Sequence, residues 1–296
     1  MPAGIVTRKK MEFAETLKKQ EHNENLIIVD GLNIAFRWRY KRVPYYTNDY
    51  VRTVESLAKS YNCGNMIILA DGGSTYRKNI YPEYKGNRKD KYDTQTETEK
   101  KEFEQFLGEF ANAFKKLKSK GYMVIKNKGL EADDLAAWIV GKKEEFGIGD
   151  IWLISSDKDW DLLIKDGVSR FSTVTRKEIT IDNWDEHYDV EPDKYLTLKC
   201  LAGDTGDNVP GIAGIGPKRA VSLINDYGDL YDIYNSCPID SKYKYIQSLN
   251  ENADRLLLNA ELMDLESYAE QAIIESGMNL EDLSSDIKGY LNGSNN

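Results

Sequence analysis

Four short apolar runs stand out along the chain: Leu26-Ile27-Ile28-Val29, Met66-Ile67-Ile68-Leu69-Ala70, Tyr122-Met123-Val124-Ile125 and Ile151-Trp152-Leu153-Ile154. Their length and continuity predict strands buried on both faces. Between them the apolar spacing becomes helical. Val51, Val54, Leu57 and Ala58 share a face within Asn48 to Tyr61. Phe103, Phe106, Leu107, Phe110, Ala113, Phe114 and Leu117 do the same within Glu97 to Lys120. Strands alternating with helices predict an α/β fold, a mostly parallel central sheet flanked by helices. Ser169 to Val174 and Glu178 to Ile181 read as a closing hairpin. Residues 74–96 carry little regular pattern, and an unpatterned stretch of that length is functional or disordered by prior. Residues 1–25 are polar, with weak helical spacing at Met11, Ala14 and Leu17, and read as a peripheral extension. After about residue 187 the pattern turns helical. The expected division is therefore 1–25, an α/β domain at 26–187, and a helical domain at 188–296.

The apolar runs end in acids. Asp30 follows the first, Asp71 the second, Glu131, Asp133 and Asp134 the third, and Asp157 and Asp159 the fourth. A single acid at such a place is usually a helix cap or a turn residue. In an open parallel sheet, however, ligand sites lie at the carboxyl ends of the strands. Four such ends would bring seven carboxylates to one edge. Two like charges 4 Å apart repel by about 4 kcal/mol at an effective dielectric near 20, so this cluster requires divalent cations, protonation or both. Only His22 and His187 are present, which argues against a histidine-based zinc site or triad. An all-oxygen site points to magnesium or manganese and to two-metal phosphoryl chemistry. A calcium loop is a poor alternative. Asp157, Asp159 and Asp161 fit its first alternating positions, but Leu162 stands where glycine is needed and Val168 where a bidentate glutamate is needed.

Charge refines this picture. The formal net charge of −9 is carried almost wholly by the segment from Asn250 onward. From Tyr76 to Tyr92 the sign reverses, and Tyr76, Tyr81, Tyr84 and Tyr92 are interleaved with Arg77, Lys78, Lys85, Arg88, Lys89 and Lys91. Cations mixed with aromatic rings suit a nucleic-acid strand better than plain solvent. Cys63, Cys200 and Cys237 lie far apart, consistent with reduced thiols in a cytoplasm. No apolar run reaches the length of a membrane span, and the first residues lack a signal-peptide core.

In the helical half, Gly203-Asp204-Thr205-Gly206-Asp207-Asn208 precedes Gly214-Ile215-Gly216-Pro217-Lys218-Arg219. Glycines before a helix, with adjacent cations, fit a helix-hairpin-helix turn whose backbone N–H groups approach a DNA phosphate. Asp204 and Asp207 would extend the acidic cluster to nine.

With Val29-Asp30-Gly31-Leu32-Asn33, Pro82-Glu83-Tyr84-Lys85-Gly86-Asn87-Arg88, Glu131-Ala132-Asp133-Asp134, Leu153 to Asp161 and Gly203 to Asn208 in place, the chain resembles the 5′-nuclease, or flap endonuclease, family in its bacteriophage 5′-exonuclease branch (the T-five phage type). The resemblance spans roughly residues 25–265. It implies a PIN-like sheet domain with a helical arch at about 76–120, a C-terminal helix-three-turn-helix (helix-hairpin-helix) domain, and 5′-to-3′ exonuclease and flap endonuclease activity on DNA. It further implies a monomer with two Mg2+ ions, Mn2+ as a substitute and K+ at the helix-hairpin-helix. Asp30, Asp71, Glu131, Asp133 and Asp134 match ligands of the first metal site or its water shell, and Asp157, Asp159, Asp204 and Asp207 the second. Lys85 and Arg88 match arch cations at the scissile phosphate, and Tyr84 a stacking or packing residue. Arg37 and Lys199 are matched to phosphate contacts. Lys218, Arg219, Gly214 and Gly216 match the duplex-holding turn. The competing functions are a non-catalytic DNA-junction binder and an RNA-directed PIN-like nuclease. RNA–DNA hybrids also remain open as substrates, because reading backbone and shape does not exclude a 2′-hydroxyl.

Overall fold

The computed structural model describes residues 24–293. Six strands form one sheet: β1 (Leu26–Asp30), β2 (Asn65–Ala70), β3 (Met123–Lys126), β4 (Ile151–Ile154), β5 (Val168–Phe171) and β6 (Glu178–Ile179). Their order is β3-β2-β1-β4-β5-β6. The first five run parallel, and only β6 is antiparallel. β1 and β2 are buried throughout, as expected when both sheet faces are covered.

The alternating side chains serve two cores. Ile27, Val29, Met66 and Ile68 pack on one face under α1 (Gly31–Tyr40), α2 (Thr47–Ser60) and, beyond the short helices α3 (Thr75–Ile80) and α4 (Asn87–Asp93), the long helix α5 (Glu97–Ser119). The opposite face, with Leu26, Ile28, Ile67 and Leu69, meets α6 (Ala132–Gly141). The remaining helices are α7 (Tyr195–Ala202), α8 (Pro217–Tyr227), α9 (Leu230–Ser236), α10 (Lys244–Glu251), α11 (Asp254–Met263), α12 (Leu265–Glu275) and α13 (Leu280–Gly293). The first five of these build a third core around Leu201, Leu223, Ile233, Leu249 and Leu256.

Three features differ from the sequence reading. Residues 74–96 contain α3 and α4, whose short lengths leave no readable period. Helix α1, not anticipated, begins at once after β1 because the Asp30 carboxylate caps the Asn33 amide. The last two helices, grouped by the sequence reading with the helical domain at 188–296, pack on the α/β half. Leu265, Ala269, Ala272 and Ile273 of α12 and Leu283, Ile287 and Leu291 of α13 are buried in the core shared with α6. The helix expected around Met11 to Leu17 lies outside the described residues.

Candidate active site

The carboxyl ends of β1, β2, β3 and β4 open on one edge of the sheet, and each delivers acids by a different local device. Asp30, the last residue of β1, accepts hydrogen bonds from the Asn33 amide (3.2 Å) and the Ser155 hydroxyl (2.7 Å). The same hydroxyl accepts from the Asp157 amide at 3.0 Å, so one serine links the ends of β1 and β4. Asp71 accepts from the Ala132 amide at 2.9 Å, which fixes it to the start of α6. The two segments behind these acids run side by side, the Gly129 amide donating to the Gly72 carbonyl and the Gly72 amide to the Leu130 carbonyl. A Cβ on Gly72 would stand 1.7 Å from the Asn127 carbonyl oxygen, so glycine is required there.

Glu131 caps α6 positionally, and Asp133 and Asp134 occupy its first turn, where the dipole favours negative charge. Their side chains part company. Asp133 is half-buried and accepts from the indole Nε1 of Trp160 at 2.6 Å. Glu131 receives the Lys85 ammonium, the Arg77 guanidinium at 2.8 Å and the Tyr84 hydroxyl at 3.3 Å. Asp134 is fully buried, and both its oxygens are taken by Arg77, at 2.8 and 2.9 Å. Asp134 therefore does not open onto the acidic edge as the resemblance implied. Its site is occupied by a guanidinium fork, a geometry that satisfies a carboxylate completely.

On the far side, Asp157 caps the 3-10 turn Lys158–Leu163 by accepting from the Asp159 amide. Asp159 pairs with Lys199 at 2.5 Å, and Lys199 also reaches Asp204 at 3.2 Å. Asp207 accepts from the Tyr84 hydroxyl (2.8 Å) and Arg88 (2.7 Å), with the Lys85 ammonium at 3.3 Å. Segment 83–88 is thus laced to the loop 203–208. The lacing continues through Asn87 to the Thr205 carbonyl, Asn208 to the Glu83 carbonyl and the Lys85 amide to the Asp207 carbonyl. Asp161 turns inward to Arg170, at 2.5 and 2.7 Å. The segment is neither helix-loop-helix nor open for calcium.

Electrostatics divide the acids. Burial, then Asp71, pushes the Asp30 carboxyl up to about 8. Burial, then Asp71, also drives Asp133 well above the carboxylate range. Asp71 is raised by burial in spite of Lys85. Burial raises Asp159 to about 6, partly offset by Lys199. For Glu131 burial acts the same way, but Lys85 and Arg77 outweigh it and hold the carboxyl at about 2. Burial works against the Lys85 ammonium, yet Glu131 first and then Tyr84 and Asp207 keep it well above the usual lysine range. Among the described residues no three acids already stand at metal-holding spacing, since Glu131, Asp159 and Asp207 lean toward cations. The donor set, all oxygen and with one buried and two half-buried acids in contact with no cation, nonetheless fits a hard divalent metal.

The structure decides between the roles left open for one candidate and places others differently from their sequence roles. Tyr84 is buried, its ring against Lys85 and Arg77, so it packs rather than presenting a face for a base. Lys199 is buried between Asp159 and Asp204 instead of projecting toward a phosphate. Arg77, read as part of a strand-facing basic run, is buried. Arg37 is exposed, beside Trp38. In the helical half, Ile212 and Ile215 are buried, which leaves Gly214 and Gly216 exposed on the turn between α7 and α8. Gly214 has a φ of +81°. Gly216 starts α8 with no side-chain cap. Lys218 and Arg219 are exposed beside it, and Arg219 lies over the Tyr245 ring at 4.6 Å. The sequence reading gave no role to Ser155 or Trp160, and none to Arg77 beyond membership of the basic run. Trp160 and Ser155 lay inside a quoted motif, but only the fold shows which acids they touch.

Residues 25–189 match the family described as 5′-3′ exonuclease, N-terminal resolvase-like domain, and residues 190–286 match 5′-3′ exonuclease, C-terminal SAM fold. The chain is 42% identical over 261 residues to a flap endonuclease of Escherichia phage T5, covering 87% of this chain and 89% of that one. It is 30% identical over 232 residues to a 5′-3′ exonuclease of Mycoplasmopsis pulmonis, covering 74% and 72%. The crystal structure of the phage T5 flap endonuclease in a pseudo-enzyme-product complex with DNA and metal ions aligns with a TM-score of 0.86 and 40% identity, over 90% of this chain and 99% of that one. A structure of the T5 5′-exonuclease with divalent zinc ions bound gives 0.84 at 40% identity, over 91% and 99%. With both halves matched and the sheet edge assembled from the expected acids, the chain belongs to the 5′-3′ exonuclease family.

Proposed function

We propose that the protein is a divalent-metal-dependent 5′-to-3′ exonuclease and structure-specific flap endonuclease that hydrolyses DNA phosphodiester bonds. The observation that carries this reading is the convergence of strand-end acids on one sheet edge, faced by Lys85 and Arg88 on a segment laced to the helical half. Relatives with 40% identity were solved with DNA and with divalent metal ions, which supports both substrate and metal dependence.

In this reading Asp30, Asp71, Glu131 and Asp133 hold one Mg2+ and Asp157, Asp159, Asp204 and Asp207 a second, with Mn2+ able to substitute. The chemistry supplied with the metals is a more acidic water and a stabilised leaving oxygen. The protein's own residues do the rest. Ser155 and Trp160 aim Asp30 and Asp133. Lys85 and Arg88 leave Glu131 and Asp207 and take up the charge of the scissile phosphate, so that water attacks in line. Lys199 would likewise give up Asp159 and Asp204, freeing both acids for the second metal. The uncapped start of α8, with Gly214, Gly216, Lys218 and Arg219, receives the duplex backbone, with K+ as an added bridge, and Arg37 meets phosphate at the edge of the sheet domain. We place the enzyme, as a monomer, in the cytoplasm, where RNA–DNA hybrids are a further substrate.

A non-catalytic junction binder would have dispensed with some of these acids, and all eight are present. An RNA-directed PIN-like nuclease has less need of the glycine turn before α8. The test is a 5′-labelled flap on a duplex, incubated with the protein in Mg2+ and in EDTA. Cutting near the junction with Mg2+ alone is expected. Binding without cutting in both Mg2+ and Mn2+ would move the protein to the junction-binder class.

A further inference from the structure

Arg77 sits where three parts of the molecule meet. It lies on α3, is 2% exposed, and makes four hydrogen bonds. Two go to Asp134 and one to Glu131 Oε2. The fourth, from Nε at 2.7 Å, goes to the carbonyl of Leu262, next to last in α11. One guanidinium therefore satisfies a helix-end carbonyl from the helical half and fixes two acids of the α6 first turn. It holds Oε2 of Glu131, so that Oε1 is the oxygen left to face Lys85. Asp134 has no exposed surface and no oxygen outside the fork. To receive a metal it would have to abandon Arg77 and leave that charge unpaired in the interior.

We propose that Arg77 is a positioning residue that sets Glu131 for metal and substrate and couples its placement to α11, and that Asp134 serves Arg77 rather than the metal. The proposal rests on the nuclease reading for its catalytic consequence, but its metal-binding consequence can be read without any cleavage. Lysine at position 77 would keep the charge while losing the fork.

The experiment compares full-length wild type, Asp30→Asn, Asp134→Asn and Arg77→Lys. Mn2+ binding is followed by electron paramagnetic resonance of the free ion, with thermal unfolding in parallel. Asp134→Asn is expected to bind Mn2+ within about twofold of wild type while unfolding at a lower temperature, whereas Asp30→Asn weakens binding about tenfold or more. Single-turnover cleavage of the labelled flap at saturating Mn2+ is expected to fall about tenfold or more in Arg77→Lys with duplex affinity unchanged, and adding Asp134→Asn should not deepen the loss, because the pair acts as one unit. If Asp134→Asn weakens Mn2+ as much as Asp30→Asn, Asp134 is a ligand and the proposal fails. If Arg77→Lys cuts at the wild-type rate, the positioning role fails. A wild type that binds Mn2+ but cuts no flap would instead overturn the functional reading, while the comparison of Asp134→Asn with Asp30→Asn would still decide the first half of the proposal.

Discussion

The two ends of the acidic edge solve the same electrostatic problem in opposite ways. Glu131 and Asp207 are wrapped in Arg77, Lys85 and Arg88, and Glu131 is held ionised, with its carboxyl at about 2. Asp30 is buried and Asp71 and Asp133 are half-buried, but all three have only neutral donors in contact: a serine, backbone amides and an indole. Their carboxyls are pushed up instead, Asp30 to about 8. The cation-rich end keeps its charge with the protein's own side chains. The bare end must take a proton or a metal, and in the proposed mechanism it would take the metal beside Glu131. The cations at the other end would then be a reserve for substrate phosphate.

The largest effect should come from removing that reserve. We expect Lys85→Ala to slow single-turnover flap cleavage by about 10²- to 10³-fold while duplex binding stays nearly intact. Wild-type turnover would show that the cation serves only Glu131. Next, Asp157→Asn combined with Asp159→Asn should reduce bound Mn2+ from about two ions to about one. Unchanged metal dependence would remove that side from the metal sites.

The bare end also sets a pH dependence. A carboxyl raised in the folded state binds a proton that the unfolded chain has already lost, so its contribution to stability is present at low pH and is lost as pH rises through the folded value. For Asp30 that window runs from its usual value of 3.8 to about 8. Glu131 acts oppositely, its contribution being lost only as pH falls toward about 2. Metal-free protein should therefore melt at a lower temperature at pH 8.5 than at pH 5.5, and Asp30→Asn should flatten the slope. Equal melting temperatures in the wild type would contradict the assignment. Smallest of all, Lys218→Ala on the distant α8 should weaken duplex binding without changing the cleavage site and should reduce its salt slope by about one.

What the sequence revealed and what it hid follow one physical line. Buried parallel strands read as unbroken apolar runs, so the ends of β1, β2, β3 and β4, and the acids at them, could be placed from spacing alone. Partnerships between distant residues could not. Arg77 reads as one more cation among tyrosines because Glu131 and Asp134 lie 54 and 57 positions away. The contacts that bury Tyr84 and Lys199 were hidden for the same reason: they come from the opposite half. Helix α1 was missed because its start is dictated by a cap on Asp30, not by an apolar period. The return of α12 and α13 to α6 was hidden because the acids on their outer faces dominate the composition of that segment.

The most direct test of the contrast is the count of protons released when metal binds. Metal-free protein would be titrated with Mn2+ by calorimetry at pH 7 in two buffers of different ionisation heat. If Asp30 and Asp133 hold protons until metal arrives, binding should release protons, fewer as the pH approaches 8.5 and fewer in Asp30→Asn. Metal binding with no proton release at any pH would contradict the bare-end assignment.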